Sequence, residues 1–585
     1  MFNLKLSQQR PVGHNYKWIA LSNTTLGMLM GAINGSSLII ALPVIFRGIN
    51  LNPLEPGNFS YLLWILMGYP LVLAVLVVTL GRVGDMFGRV RMYNLGFVLF
   101  TVGSILLSLT WSTGPAGAIE LIAFRVVQAV GAALEMANSA AILTDAFPEN
   151  QRGLALGINM VAIMAGSFIG LVAGGLLAEV HWRWVFLANV PIGVAGTVWS
   201  YIALREVGIH KATKIDWMGN LTFAAGLTMV LVGIIYGINP SETSSMSWTT
   251  PFVLSMLIGG VAVLLLFVVV EQRVKVPMFR LSLFRIRAFA AGNLAGLLSA
   301  VGRGGLMFML TIWLQGIWLP LHGYNFEVTP LWAGIYMLPL TFGFLVAGPI
   351  SGLLSDRFGA RPFATGGMVL AAVSFALLVF LPVDFSYLAF ALVLLLNGIA
   401  SGLFASPNTA AIMNSVPAES RGVASGMRAA FFNTGMPLST GVFFSLMIVS
   451  LNSTVPQALF NGLTQNGISA SVAGELSKLP PVSYLFAALL GYNPLGTLLG
   501  PTVLNSLPAA AADRITSRSF FPQLISAPFH HGLAVVFTFS VVICLIAAVA
   551  SWLRGGKFVH QGGEDEQELR EQAPTHSPLR RPDTE

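Results

Sequence analysis

Charge is what this sequence has least of. Asp, Glu, Lys and Arg make up 9% of its 585 residues, and 55% are hydrophobic, whereas soluble chains carry about 25% charged residues. A soluble multi-domain enzyme is excluded on that ground. There is one cysteine, Cys544, inside an apolar run, so neither a disulfide framework nor a thiolate metal cluster can be built. No Walker-type phosphate loop is present, so ATP does not drive the protein directly, and no His/Cys/Asp group stands at metal-ligand spacing. The sequence therefore implies no catalytic residue, metal or cofactor. The net charge of +7 is dispersed through short loops instead of lining one face, which argues against nucleic acid as a partner.

What the chain has is long apolar runs. A polar, basic start (Lys5, Arg10, Lys17) precedes a run from Trp18 to Phe46. That run is too long for a signal-peptide core and lacks a small-x-small cleavage site, so it reads as a retained first helix. Further runs lie at about 60–80, 93–112, 116–146, 154–178 and 182–204, then 217–237 and 249–270. Six more follow at about 287–317, 329–354, 363–382, 385–414, 422–450 and 529–553. Each is long enough to cross a bilayer as a helix. The fold class is an all-α polytopic membrane protein with fourteen spans.

Between the second and third runs stands a short polar turn, Gly81-Arg82-Val83-Gly84-Asp85-Met86-Phe87-Gly88-Arg89. It returns as Gly352-Leu353-Leu354-Ser355-Asp356-Arg357-Phe358-Gly359-Ala360-Arg361. The offset is 271 at all three anchors (352 − 81, 356 − 85, 359 − 88). Pro148 with Arg152-Gly153 matches Pro417 with Arg421-Gly422 at an offset of 269. The chain is thus a duplicated bundle, predicted as 6+2+6 helices. Its predicted parts are an N-terminus (1–17), a six-helix bundle (18–204), and an inserted helix pair with a basic loop (205–286). A second bundle follows, with five helices (287–450), a long external loop (451–528), a last helix (529–553) and a charged, Pro-containing tail (554–585). Within the loop, 481–504 is apolar but broken by Gly and Pro, so an interfacial or folded-back helix is predicted there. Most Lys and Arg fall on the side of the two termini, and the opposite short loops carry only Arg47 and Arg183. The positive-inside rule then predicts cytoplasmic termini and cytoplasmic glycine–arginine turns, in a cell membrane.

The turn pattern G-x-x-x-D-x-x-G-R resembles the signature of the major facilitator superfamily, and the fourteen spans resemble its drug:proton antiporter group. The resemblance covers about Trp18 to Ser450 and the last helix. It implies alternating access through a central cavity, a small-molecule substrate, a proton gradient as energy source, and a monomer in the lipid bilayer. It also implies a cytoplasmic latch built from Gly81, Asp85, Gly88 and Arg89 and from Gly352, Asp356, Gly359 and Arg361. By pseudo-symmetry, Asp85 is expected at the start of the helix after Arg421, and Asp356 at the start of the helix after Arg152. A helix N-terminus favours an anion there. Plain solvated turns are the alternative.

In the fourth run, Arg125, Gln128 and Glu135 lie on one helical stripe about 80° wide. Charges at that depth cost at least about 2.5–3.5 kcal/mol each, so they face either a wet cavity or structural partners. Arg125 and Glu135 are roughly 15 Å apart in rise and cannot pair with each other. The family's R-x-x-Q-G motif is matched with the glycine shifted to Gly131. In the first run Asn34 stands where the antiporter group usually has aspartate, and asparagine cannot titrate. Either Glu135 carries the proton or the protein is not a proton antiporter. Arg303, flanked by Gly302 and Gly304, maps near Asn34 through the repeat, with Glu135, an anionic substrate group or helix carbonyls as candidate partners. In the fifth run Gly166, Gly170 and Gly174 form a bare face for close helix packing, while Leu171 replaces the antiporter motif's proline.

Proton-driven export of neutral, zwitterionic or anionic amphiphiles is the function so implied. Uptake of an anionic metabolite and a transport-inactive receptor are the alternatives.

Overall fold

The computed structural model describes residues 15–52, 57–148, 151–207, 215–238, 247–417, 420–489 and 493–555. Most of the predicted N-terminal segment and of the charged tail therefore lies outside the described residues. Among the described residues, fourteen helices are long and apolar enough to cross a membrane. They are α1 (Tyr16–Gly48), α2 (Asn58–Phe87), α3 (Arg89–Ser108), α4 (Gly114–Ala146), α5 (Arg152–Val180), α6 (Trp184–Ala203), α7 (Trp217–Ile238) and α8 (Pro251–Arg273). After these come α9 (Arg287–Leu321), α10 (Thr329–Tyr336 and Leu338–Phe358), α11 (Ala360–Phe380), α12 (Tyr387–Asn414), α13 (Arg421–Gln465) and α14 (Phe520–Trp552). A helix satisfies its own backbone polar groups, the condition for a chain this apolar to sit in hydrocarbon.

The two sets of six pair in the same way. In the first, α1 packs on α4, α5 and α6, α4 on α2 and α3, and α3 on α6. In the second, α9 packs on α12, α13 and α14, α12 on α10 and α11, and α11 on α14. Adding eight to each helix number converts one set into the other. The halves meet along α2 against α13 and α5 against α10, which the same rule also exchanges. Helices α7 and α8 pack on each other, and α7 also touches α2 and α13. Only 17% of the most apolar stretch of α8 is buried, so its surface is left for lipid.

Two turns mark one face of the bundle. Helix α2 ends at Gly88 (φ 109°, ψ 125°) and the first half of the repeat is matched at Gly359 (φ 86°, ψ 154°), where α10 ends. Only glycine adopts this conformation without strain, which is why the motif needs it at that place. Arg82 on α2 donates to the carbonyls of Val276 and Pro277, Arg280 donates to Ser420 Oγ at 3.1 Å, and Arg287 donates to the carbonyl of Leu553 at 2.5 Å. Arg361 stacks over Trp552, 3.8 Å from the ring centre. These links gather both turns, the 274–286 connection and the end of α14 on a single face, called here the turn face.

The predicted external loop 451–528 is corrected at both ends. Helix α13 continues to Gln465 and α14 begins at Phe520. Polar residues (Asn452, Ser453, Thr454, Gln457) hide the continuation from hydropathy, yet Leu451, Val455, Leu459 and Leu463 recur every four residues and are all buried. Between the two helices the chain forms short helices at Ala470–Ser477, Pro481–Leu489, Leu495–Asn505 and Ala509–Thr516.

Candidate functional site

The polar residues of the first half form a network centred on α4. Asn34 of α1 and Gln128 exchange two hydrogen bonds, each amide donating to the other's oxygen at 3.2 Å. The second N–H of Gln128 goes to Ser104 Oγ of α3 at 2.9 Å. An aspartate at 34 could accept from Gln128 but could not donate back, so asparagine suits this partner. Arg125, 4% exposed, lies with its guanidinium 4.8 Å from the ring centre of Tyr69 on α2 and donates to Gln128 Oε1 at 3.4 Å. Its Nε has no hydrogen-bond partner among the described residues.

Glu135 takes a different direction. It is 4% exposed and lies between α1, α3 and α4, so that a Cβ at Gly27 would be 3.2 Å from its Oε2 and a Cβ at Gly96 would be 2.9 Å from its Cγ. Its Oε1 has no hydrogen-bond partner among the described residues. Tyr93 is close by but donates to the carbonyl of Asn23 at 3.1 Å. Ten residues along α4 turn Glu135 toward α3 while Arg125 faces α2, so the single stripe read from the sequence resolves into two environments.

Arg303 ends the first segment of α9, which breaks at Gly304-Gly305 before resuming at Leu306. A cation suits a helix C-terminus, and such broken helices frame binding sites in transporters. The guanidinium donates to Asn397 Oδ1 at 3.3 Å and to the Ser401 hydroxyl, both on α12. Glu135 is therefore not its partner: the repeat aligned Arg303 with the first helix but left open which neighbour in its own half it would meet. Asn397 in turn donates to Ser374 Oγ of α11 at 2.7 Å. At the break, Gly305 N–H donates to Ser439 Oγ of α13 at 2.9 Å.

On the turn face, Arg89 bonds Asp85 at 2.7 Å and Asp145, at the end of α4, at 2.6 Å. One arginine thus joins two carboxylates, all about a quarter to a third exposed. The N-terminus of α3 is capped by Glu206, which accepts from Val90 N at 2.9 Å and Arg91 N at 3.3 Å. Sequence reading missed Glu206, because it follows α6 and nothing in its local sequence links it to the turn. Gly81 and Gly352 each have a small neighbour facing them, Ala137 and Ser406. The side chains of Asp356, Arg421 and Arg152 lie outside the described residues, so the two expected latch contacts do as well. Arg554 donates to Asn408 and Ser551, and burial lowers its pKa to about 10.

Gly166, Gly170 and Gly174 face three successive turns of α1. A Cβ there would stand 2.6 Å from Leu29 O, 2.6 Å from Ile33 O and 2.5 Å from Ser37 Cα respectively. The neighbouring face of α5 meets the other half: a Cβ at Gly175 would be 2.4 Å from Leu331 Cα, and one at Gly334 would be 2.4 Å from Leu171 O. Leu171 itself is fully buried.

The profile of the Major Facilitator Superfamily matches residues 24–217 and 215–440. The methyl viologen resistance protein SmvA of Salmonella typhimurium is 31% identical over 448 residues, 75% of this chain and 84% of that protein. The tetracenomycin C resistance and export protein of Streptomyces glaucescens is 26% identical over 541 residues, 91% of each chain. The riboflavin transporter RibZ of Clostridioides difficile is 29% identical over 441 residues, 74% of this chain and 89% of that one. Among solved structures, a bacterial homologue of the human lysosomal transporter Spinster, inward-facing and occupied, superposes with a TM-score of 0.58 at 15% identity, covering 93% of this chain and 97% of that one. That likeness speaks for the fold. With the paired six-helix sets, the two glycine turns and the matched profile together, this chain belongs to the Major Facilitator Superfamily and is a membrane transporter.

Proposed function

We propose that the protein is a proton-coupled exporter of small amphiphilic compounds, with the turn face in the cytoplasm. The observation that carries this reading is Glu135, a carboxyl buried in the seam of α1, α3 and α4 with one oxygen unbonded among the described residues. An ionised carboxylate is costly in such a place. In the packed seam Glu135 holds a proton, and water reaching the seam as α1 moves lets it leave. This gives α4 a proton carrier although Asn34 cannot serve. Export is supported by the names of two relatives, a resistance and export protein and a methyl viologen resistance protein. The substrate pathway runs between the halves, past Asn34, Arg125, Gln128 and Tyr69 on one side and Arg303 on the other. Both arginines are already engaged, Arg125 by Tyr69 and Gln128 and Arg303 by Asn397 and Ser401. These partners are neutral and each arginine leaves its Nε without a hydrogen-bond partner among the described residues, so the two cations are uncompensated and suit an anionic group on an amphiphilic substrate.

The test is flux of ethidium and of riboflavin in proteoliposomes with an imposed pH gradient, with and without a protonophore. Gradient-driven accumulation that collapses with the protonophore is the expected result. Flux indifferent to the protonophore removes proton coupling, and no flux of any compound in a wider panel removes transport.

A further inference from the structure

Residues 483–488, within the short helix Pro481–Leu489, are buried without a break. Chain order places this helix on the face opposite the turns, between the end of α13 and the start of α14. A helix lying on a surface buries a stripe with a period of 3.6; six consecutive buried residues mean that it is enclosed all round. What encloses it comes from both halves. The Phe486 ring stands edge-on to Phe46 at the end of α1, 5.3 Å between centres, and to Phe59 at the start of α2, 5.9 Å. Phe59 also meets Phe444 of α13 at 5.2 Å. On the other side, a Cβ at Gly316 of α9 would lie 2.8 Å from the carbonyl oxygen of Ala488. Gly316 belongs to a π-helical turn, Leu314–Trp318, and its neighbour Gln315 donates to Ile40 O of α1 at 3.1 Å. The Tyr484 hydroxyl donates to Leu476 O at 2.5 Å, and burial raises its pKa.

The two seams between the halves close differently on this face. At α5 and α10 bare glycines let the backbones touch. At α2 and α13 the rings of Phe59, at the start of α2, and Phe444, midway along α13, meet in the seam, and Phe486 packs beside Phe59. We propose that the helix Pro481–Leu489 is a plug seated between the far ends of the two halves, which must leave its seat before the pathway can open on that face. The proposal rests on the alternating-access reading above.

Cross-linking tests it. A Cβ at Gly316 would lie 3.6 Å from Ala488 Cβ, within the roughly 3.5–4.5 Å that a disulfide requires. In a Cys544→Ala background, the Gly316→Cys/Ala488→Cys pair is oxidised and assayed with ethidium and riboflavin under a pH gradient. Flux stops on oxidation and returns with reductant; an oxidised protein that transports at the reduced rate overturns the plug. Because a side chain at 316 crowds the Ala488 carbonyl, Ala488→Cys alone supplies a second readout. Its labelling by a membrane-impermeant maleimide is slow at rest and about tenfold faster under the gradient, as the seat is vacated in a growing fraction of molecules. Equal labelling in the two conditions overturns the proposal. A Cys544→Ala parent that moves neither probe counts against the transport reading instead, and is recognised before any cross-link is made.

Discussion

Asn34 and Arg303 occupy the same place in the two halves. They are 269 residues apart (303 − 34), and each hydrogen-bonds to an amide that is also 269 residues from its counterpart, Gln128 in one half and Asn397 in the other (397 − 128). Each amide then donates to a serine one helix further out, Ser104 or Ser374. The triad is duplicated, but its charge is not. The first half takes its arginine from α4, and the second takes its arginine from α9, with Leu394 at the position matching Arg125. The two walls of the pathway therefore differ chemically while sharing one scaffold.

Replacing Glu135 by Gln is expected to abolish uphill efflux while leaving downhill exchange of the same dye near the wild-type rate. Gln keeps the shape and removes the proton. Equal loss of both activities would mean that the residue is structural only.

The contact of Arg125 with Tyr69 is desolvated, where such a pair contributes about 2 kcal/mol. Tyr69→Phe keeps the ring that Arg125 lies over and should preserve folding, losing only the hydroxyl. Tyr69→Ala should lower the thermal midpoint in detergent by several degrees and reduce substrate affinity. Thermal unfolding of the two variants side by side checks this.

The Asp85–Arg89–Asp145 chain is partly exposed, so its contribution is about 1 kcal/mol. That still corresponds to roughly a fivefold change in a balance between two conformations. Asp145→Asn should thus loosen the ends of α2, α3 and α4 against one another, raising the labelling rate of a cysteine placed on α2 near that face by about that factor, with little effect on the melting temperature. Unchanged labelling would show that the chain does not bear on the conformational balance.

Gly170→Ala would drive a methyl to within 2.6 Å of Ile33 O, an overpacking that costs about 1–3 kcal/mol. Gly35→Ala has open space around the new methyl and should be neutral or stabilising by up to about 1 kcal/mol, from helix propensity. Yield and thermal stability of the two purified variants provide the comparison.

Much of this was legible before any coordinates. The repeat offset of 271 found both turns, and the apolar runs found all fourteen spans. Glycines at 166, 170 and 174 announced a bare face, although not that α1 would fill it. Elsewhere the signal was absent. The extension of α13 is written in Leu451, Val455, Leu459 and Leu463, a stripe that average hydropathy dilutes with the polar residues between. Tyr69 is one of four aromatics in its apolar run, with Phe59, Tyr61 and Trp64, and only the crossing of α2 over α4 gives it Arg125. Glu135 shares a helix with Arg125, but which neighbour each meets depends on the rotation of α4, which a single sequence does not encode.

Helix α5 offers glycine to two neighbours at once, over three turns to α1 and over a single turn to α10. Any motion that separates the halves will break the shorter grip first and carry α1 along with α5 as a rigid couple. Asn34 rides on that couple, so the polar group beside the pathway shifts whenever the seam with α10 peels apart.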